Sequence, residues 1–257
     1  MQKSYFRWLR VLIIIVLILG IYFRLINIDR KVYWHNEIIT SVRIAGYTKE
    51  NFSDILKKSG VVDGENLQQY LNIDSNKTFI STINSLATEN PEQVPIYFIL
   101  LRWWVKLFDN SIGGIRNFSA VISLLVFPCI YWLCRELFNK SLVGEIAIAL
   151  TAISPILVLY AQEGRSYSLF AVTVLLSTIA LFRAMRIQTK RSWLIYTASL
   201  VLNLYTNLFF LSIVMGHGLY HFSKRMLYMI GWGSVGSVGG VGRGRDVACN
   251  VRTKNLY

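Results

Sequence analysis

The sequence predicts an all-α integral membrane protein, a polytopic helical bundle with five or six transmembrane spans. Of its 257 residues, 54% are hydrophobic and only 16% are charged, whereas an ordinary soluble domain carries about 25% charged residues. Its long apolar runs are bounded by arginine and lysine, the arrangement that orients helices in a bilayer. These observations argue against a disordered chain, a collagen-like fibre and a soluble globular domain.

The charge of the chain does not indicate a nucleic-acid partner. The sequence has 27 lysine and arginine residues against 14 acidic ones, a formal net charge of +13. Most basic residues lie just outside apolar runs, and nine of the acidic residues lie between Asp29 and Glu92. A nucleic-acid-binding protein would instead gather its basic residues on one soluble face. The expected environment of this chain is therefore the lipid bilayer.

The first transmembrane helix is expected within residues 1–28. The apolar run 11–23 is flanked by Arg10 and Arg24, which lie about 21 Å apart along a helix that rises about 1.5 Å per residue. Both side chains can extend toward opposite interfaces, so the segment is long enough to cross. A cleaved signal peptide is the alternative. No small-x-small cleavage site follows the run, and we expect an uncleaved anchor.

Residues 29–115 are expected to form a polar extracytoplasmic loop. In this loop Phe52, Ile55 and Leu56 recur at helical spacing, which predicts a folded helical structure. Residues 94–108 are apolar but number only fifteen and include two basic residues, so the segment is too short to cross a bilayer. We expect an interfacial helix there, lying in the membrane surface with its tryptophans at headgroup depth.

Residues 116–230 supply the remaining transmembrane helices, and three of them are expected at residues 118–133, 142–161 and 167–182. The last apolar stretch, 193–222, would be about 45 Å long as one helix, which is long for one upright span and short for two. The polar residues Tyr205, Thr206 and Asn207 in its middle favour two short helices. One tilted helix is the alternative.

The positive-inside rule predicts the orientation. With a cytoplasmic N-terminus and a helix at 94–108 that does not cross, the basic residues of 135–140 and 183–191 all fall inside. If that helix crossed, the cluster at 183–191 would move outside and the charge bias would invert. In the favoured topology the loop around Glu37 and the turn around Arg165 face the same, outer side.

Three polar clusters at this outer interface are candidates for chemistry. They are residues 33–37, residues 90–97 and residues 160–167. A carboxylate or guanidinium this close to hydrocarbon is costly unless it is paired or hydrated, so Glu37 and Arg165 become functional candidates. The alternatives are an ordinary solvated acid at Glu37 and an exposed salt bridge between Glu163 and Arg165.

The order of the motifs carries a family resemblance. An acidic pair follows the first span, a His-x-Pro-Leu-Tyr-like segment comes next, Arg-x-x-Ser-Ala begins at Arg116, and Tyr-x-Gln-Glu-x-Arg-x-Tyr covers 160–167. This order resembles the N-terminal part of the polytopic glycosyltransferases of the GT-C class. The likeness is greatest to family 39 and to the bacterial galacturonosyl- and aminoarabinose-transferase-like members, and it covers about residues 5–228.

The resemblance implies a transferase that takes a sugar from a polyprenyl-phosphate donor and passes it, with inversion, to an acceptor at the outer membrane face. Arg165 is the best bidentate partner for the donor phosphate, and an acceptor hydroxyl needs a carboxylate to take its proton. The expected catalytic residues are Glu37 and Asn36. The expected substrate-binding residues are Gln93, Tyr97, Arg116, Gln162, Glu163, Arg165 and Tyr167. No metal site is predicted, and the participation of a divalent cation is left open.

Two positions depart from the family pattern. Asn36 stands where the family has the aspartate of its acidic pair, and an amide cannot accept a proton at neutral pH. Glu37 is then the substitute base. Gln93 stands where the family has a histidine. We therefore expect weak or absent turnover, and a catalytically inactive truncated pseudo-enzyme and a small polytopic transporter are the alternative functions.

Residues 231–257 differ in composition from everything before them. They are rich in glycine and lack periodic apolar residues. We expect a low-complexity tail, either a disordered segment, a basic tail that touches anionic lipid, or the non-native product of an interrupted reading frame, which we favour. The expected location is the inner (plasma) membrane of a bacterium, as a multi-pass protein with a cytoplasmic N-terminus.

Overall fold

The computed structural model describes residues 2–48, 50, 73 and 77–236. These residues are mostly α-helical and include no β-strand, so the predicted all-α class is confirmed. The helical spacing expected at Phe52, Ile55 and Leu56 lies outside the described residues, as does the part of the expected tail from residue 237 onward. The chain divides into two compact units, Met1–Phe210 and Leu211–Tyr257.

The first unit contains ten helices among its described residues. They are α1 (Gln2–Leu25), α2 (His35–Ala45), α3 (Phe79–Glu89), α4 (Pro95–Leu107), α5 (Ile112–Leu124), α6 (Val126–Phe138), α7 (Ser141–Ile153), α8 (Pro155–Ala161), α9 (Tyr167–Ile187) and α10 (Lys190–Leu204). A further helix, α11 (Phe210–Gly236), supplies the described part of the second unit. It continues past Gly231, where the composition had indicated the start of a tail.

Three helical segments of the described chain are long and apolar enough to cross a membrane. They are Arg7–Leu25 in α1, Ile112–Phe138 across α5 and α6, and Tyr167–Ile187, which is α9. The bent pair α7 and α8 makes four if it counts as one span. The predicted total of five or six is therefore not confirmed. The segment 193–222 is divided between α10 and α11, and the break includes the polar residues Tyr205–Asn207.

The expected span at 142–161 is a broken helix. Helices α7 and α8 meet at an angle of 64°, and the extended backbone of Ser154 (ψ 114°) separates them. Pro155 is the cause, because proline has no N–H to donate to the carbonyl four residues earlier and restricts the residue before it to extended conformations. The break leaves the carbonyls of Thr151 and Ala152 without their usual helical donors.

Arg24 supplies those donors. Its guanidinium donates to Thr151 O at 3.0 Å, to Ala152 O at 2.9 Å and to Gly20 O of its own helix at 2.7 Å. The side chain is 1% exposed, so the prediction that it extends to a membrane interface is wrong. At the other end of α1, Arg10 pairs with Glu145 of α7 at 3.1 Å. Helix α1 is thus fastened to the broken span at both ends.

Helices α2, α3 and α4 pack on one another beside the apolar helices. Arg102 of α4 lies at the centre of this layer, where it donates to the backbone carbonyls of Ile44 and Lys77 and to Thr82 Oγ1. Helix α4 also contacts α5, and the buried core extends across both layers. Its members are Ile44, Leu86, Tyr97, Phe98, Leu101, Val105, Ile115, Phe118, Ile122, Val126, Cys129 and Val172.

Helix α4 occupies most of the predicted interfacial segment 94–108, and its thirteen residues do not form one of the candidate spans. Its two basic residues have different environments: Arg102 is buried, whereas Lys106 is exposed. Trp103 is also exposed, while Trp104 donates its indole N–H to Gly114 O at 3.1 Å. The helix therefore joins the α2–α3 layer to α5, and its position in the membrane surface stays a prediction.

Candidate functional site

A buried ion pair joins the start of α2 to the start of α5. Arg116 donates to both carboxylate oxygens of Glu37, at 2.9 Å to Oε1 and 2.7 Å to Oε2. Both residues are only 1% exposed. Two parallel charge-assisted hydrogen bonds of this kind fix the relative orientation of the two groups as well as their distance.

Glu37 also accepts two backbone hydrogen bonds. One comes from the N–H of Gly164 at 2.8 Å, and the other from the N–H of Trp34, the N-cap residue of α2, at 3.3 Å. Burial alone would raise the pKa of Glu37. The hydrogen bonds from Arg116, Gly164 and Trp34, together with the arginine's charge, outweigh burial and lower it. The carboxylate is therefore held ionised.

The remaining donors of Arg116 bind the chain between α1 and α2. They reach the backbone carbonyls of Ile28 at 2.7 Å, Lys31 at 3.1 Å and Val32 at 3.0 Å. These carbonyls lie between a membrane helix and α2, where no helical N–H is available to them. The guanidinium supplies the hydrogen bonds that they would otherwise lack. Arg116 and Glu37 together fix three stretches of sequence, residues 28–37, the start of α5 and the 162–166 loop.

The 162–166 loop carries Arg165 to the side of α2. Its guanidinium donates to Asn36 O at 3.4 Å and to Thr40 Oγ1 at 3.3 Å, and its carbonyl accepts from Ser119 Oγ at 3.3 Å. The Nε of Arg165 is buried and has no hydrogen-bond partner. Because Gly164 is bound by Glu37, the ion pair determines where the next residue, Arg165, lies.

Arg165 faces a cavity of about 330 Å³ between α2, the start of α4 and the end of α10. Polar groups line the cavity on every side, and four aromatic rings from α4, α9 and the segment after α10 lie among them. The lining residues are Asn36, Thr40, Glu92, Gln93, Val94, Tyr97, Phe98, Arg165, Ser166, Tyr167, Thr206, Asn207 and Phe209. A volume of this size lies at the lower end of the range of small-molecule sites.

Five of the sequence-predicted site residues meet at this cavity: Asn36, Gln93, Tyr97, Arg165 and Tyr167. The side-chain oxygen of Gln93 is buried without a hydrogen-bond partner, which marks it as an acceptor available to a ligand. The hydroxyl of Tyr97 is paired with Ser119 Oγ at 2.9 Å, and burial raises its pKa. Tyr97 therefore remains a neutral hydrogen-bonding group.

The other predicted site residues lie outside the cavity lining. Glu37 and Arg116 form the ion pair behind it. Gln162 donates to the carbonyls of Phe23 and Ile26 at 2.6 and 3.1 Å, and so caps the end of α1. Glu163 lies half-buried in the same loop. Burial raises its pKa, and the negative charge of Glu37 raises it further.

Sequence reasoning missed Glu92 and Thr40 as individual cavity residues. Glu92 is exposed and lies two residues after Asn90, whose amide donates to it at 3.0 Å. Thr40 follows Asn36 by one helical turn on α2, a spacing that places both on one face. Thr206 and Asn207 line the cavity from the break between α10 and α11. The polar interruption of an apolar stretch was the signal for these two.

The arrangement offers one fixed cation, one exposed carboxylate and several neutral hydrogen-bonding groups around a partly aromatic cavity. Arginine in such a setting can hold a phosphate with two hydrogen bonds, and a carboxylate can take a proton from a hydroxyl group. Over the described ranges, no group of three or more histidine, cysteine, aspartate or glutamate side chains is placed to hold a metal ion.

Comparison with known proteins gives one result. A family model described as dolichyl-phosphate-mannose-protein mannosyltransferase matches residues 90–228, more than half of the chain. The matched range contains Gln93, Arg116 and Arg165 and runs from the segment before α4 into α11. No curated protein and no solved structure gives a significant match.

Proposed function

Since the chain belongs to the dolichyl-phosphate-mannose-protein mannosyltransferase family, whose members are membrane glycosyltransferases of the GT-C class, we propose that it transfers a sugar from a polyprenyl-phosphate donor to an acceptor at the outer membrane face. The observation that carries the proposal is the position of Arg165. Its guanidinium lies in a cavity that also contains an exposed carboxylate, Glu92, and neutral donors and acceptors suited to a sugar.

Arg165 binds the donor phosphate in this proposal. Cleavage of the bond between the sugar and the phosphate leaves additional negative charge on the phosphate, and a cation already in place stabilises that charge in the transition state. The contacts to Asn36 O and Thr40 Oγ1 are long, at 3.4 and 3.3 Å, so the guanidinium can exchange them for phosphate oxygens. Nε is also without a partner.

Glu37 and Arg116 act as positioning residues. Both oxygens of Glu37 already accept hydrogen bonds and the carboxylate is inaccessible, which disfavours a role in taking a proton from an acceptor. The pair instead holds Gly164 and, through it, the backbone of Arg165. We assign proton acceptance to Glu92, because a base must reach the proton it removes.

Binding of the donor without turnover is a second candidate function. Asn36 lines the cavity at the start of α2, and an amide cannot act as a base there. If Glu92 is not an effective base either, the protein would hold a lipid-linked sugar and fail to transfer it.

The experiment is a transfer assay with membranes that contain the full chain and a labelled polyprenyl-phosphate-linked sugar. Loss of label from the lipid fraction measures transfer, and retention of label on the purified protein measures binding. We expect Arg165→Ala to lower transfer by about 100-fold or more, as for loss of an oxyanion-stabilising group. Arg191→Ala, which changes an exposed arginine on α10, is the matched control.

The outcomes are distinct. Transfer that depends on Arg165 and not on Arg191 supports the enzyme. Binding that depends on Arg165 without any transfer supports the second candidate. Transfer by the Arg165→Ala variant at the level of the unaltered protein contradicts the proposed site.

A further inference from the structure

A second concave surface lies beside the first helix. It is a groove of about 650 Å³ between α1, the end of α7 and α8, called here the α1–α8 groove. Among the described residues, its lining has no member in common with the lining of the cavity around Arg165. The α1–α8 groove and the cavity around Arg165 are therefore treated as two separate surfaces.

The bend at Pro155 creates this groove. Helices α1 and α7 touch closely at Gly20, where a Cβ atom would lie 2.7 Å from Ala152 Cβ and from Ala152 O. Beyond that contact α8 departs from the axis of α7 by 64°, and the space opens between α8 and the last turn of α1. Helix α1 is thus in contact with α7 at one end of the groove and separated from α8 along the rest of it.

The walls and the end of the groove differ in chemistry. The walls are apolar and come from α1, the residue that follows it, α7 and α8: Leu19, Phe23, Ile26, Ile153, Val158 and Leu159. At the end of α1 the lining changes to Asn27, Arg30 and Lys31. The nearest acid in sequence, Asp29, is turned away toward the start of α5, where its Oδ1 lies 3.5 Å from the place of a Cβ on Gly113.

The α1–α8 groove is apolar along its walls and has two cations at one end. This arrangement matches a lipid with an apolar tail and an anionic headgroup. We propose that the α1–α8 groove is a binding site for an anionic phospholipid of the surrounding bilayer, with an acyl chain along α8 and the phosphate against Arg30 and Lys31. Each cation near a bilayer surface attracts anionic lipid by about 1 kcal/mol. The apolar walls replace the contacts that a bulk lipid chain would make.

In this proposal the bound lipid stabilises the end of α1 and the segments next to it, which hold the cavity around Arg165 in place. Gln162 lines the groove and caps the end of α1, and the next three residues lead to Arg165. The carbonyl of Lys31 accepts from Arg116. A headgroup on Arg30 and Lys31 therefore stabilises the same connection between α1 and α2 that the ion pair holds. The inference does not depend on sugar transfer.

The test measures lipid retention by the purified full-length protein in nanodiscs of phosphatidylglycerol or phosphatidylcholine, by native mass spectrometry after detergent exchange. We expect selective retention of phosphatidylglycerol. The double variant Arg30→Ser with Lys31→Ser should weaken that retention by about 30-fold, from the contribution of two cations. The matched control replaces the exposed adjacent pair Lys190 and Arg191 with serine and should leave retention unchanged.

A steric variant tests the apolar part of the groove. Leu159→Trp fills it and should abolish selective retention, whereas Ile156→Trp changes an exposed residue of the same helix that does not line the groove and should not. Equal retention of the two lipids by the unaltered protein would overturn the proposal, as would equal effects of the paired variants. Displacement of phosphatidylglycerol by polyprenyl phosphate, sensitive to Leu159→Trp, would assign the groove to the carrier lipid instead.

Discussion

Arg116 and Glu37, 79 residues apart in sequence, share two hydrogen bonds of 2.9 and 2.7 Å in the interior of the protein. The pair unites the loop after α1, the start of α5 and the loop that carries Arg165. A buried ion pair replaced by apolar groups is often tolerated, but removal of one partner leaves an uncompensated charge. The first prediction rests on this asymmetry.

Glu37→Ala should lower the free energy of unfolding by about 3–5 kcal/mol, because Arg116 remains buried without its counter-charge. Denaturant titration of the detergent-solubilised protein measures the change. Glu92→Ala, which removes an exposed acid, is the control and should change stability by less than about 1 kcal/mol. The double variant Glu37→Ala with Arg116→Met should lose less than the sum of the two single variants. Additive losses would show that the pair does not act as a unit.

Gly164→Ala should move the loop that carries Arg165. A Cβ at this position would lie 2.6 Å from Ile115 Cγ2, so the loop or α5 has to shift, and the 2.8 Å hydrogen bond to Glu37 is lost. We expect a loss of about 1–3 kcal/mol. Adding Ile115→Ala removes the clashing methyl group and should restore the hydrogen bond.

The control for this substitution is Gly218→Ala in α11, where a Cβ meets nothing within 4 Å. Alanine in an open helical position stabilises by up to about 1 kcal/mol. If both substitutions gave the same change in unfolding free energy, close packing at Gly164 would not be the cause.

Much of the architecture follows from composition and periodicity. Apolar runs predict helices because a chain in lipid must satisfy its backbone hydrogen bonds within itself, and the break near Asn207 could be read from three polar residues. The break at Pro155 was not predicted, because residues 142–161 are long enough for one span. Nor was the burial of Arg24, since its partners, the carbonyls of Thr151 and Ala152, lie far away in sequence and become available only through that break.

The candidate site, like the fold, could be predicted from the sequence only in part. The three polar clusters could be recognised from the sequence because charged groups near apolar runs are conspicuous. Which member of a cluster faces the cavity could not, because successive residues of a helix point about 100° apart. Asn36 lines the cavity, whereas its neighbour Glu37 points into the core and meets Arg116. This rotation depends on the packing of α2 against α4, which the sequence does not display.

The pH dependence of stability provides a prediction for Glu163. Its pKa is raised by burial and then by the charge of Glu37, so the folded state binds the proton more tightly than the unfolded state. The stabilising contribution is complete below the ordinary pKa of glutamate and is lost as the pH rises through the raised value. At neutral pH the ionised carboxylate is therefore unfavourable in the folded protein.

Glu163→Gln removes this ionisation. The variant should be more stable than the unaltered protein at neutral pH, and the difference should shrink as the pH falls into the acidic range where Glu163 is protonated. Denaturation midpoints across this pH range measure the effect. A constant difference at all pH values would exclude titration of Glu163 as its origin.

Arg24→Met should weaken the attachment of α1 to the broken span. Methionine fills much of the same volume but donates nothing to Thr151 O and Ala152 O. A buried carbonyl left without a donor costs about 1–3 kcal/mol. Arg7→Met on the exposed side of the same helix is the matched control and should change the unfolding midpoint little. Equal effects would mean that the arginine at position 24 contributes only its bulk.

Asn36→Asp tests whether a carboxylate at position 36 is a more effective base than Glu92, which lines the same cavity. The new carboxylate would lie at the start of α2, on the cavity wall and next to Arg165, whose guanidinium donates to the backbone of residue 36. If transfer is limited by proton removal, the variant should raise the rate by about 100-fold, the lower part of the range for general-base catalysis. The measurement is release of labelled sugar from the lipid donor in membranes. Asn207→Asp adds a carboxylate to the same cavity from the segment after α10 and controls for added charge. An increase with both variants would indicate an electrostatic effect of the cavity. No increase with Asn36→Asp would show that a second carboxylate at position 36 adds nothing to proton removal by Glu92.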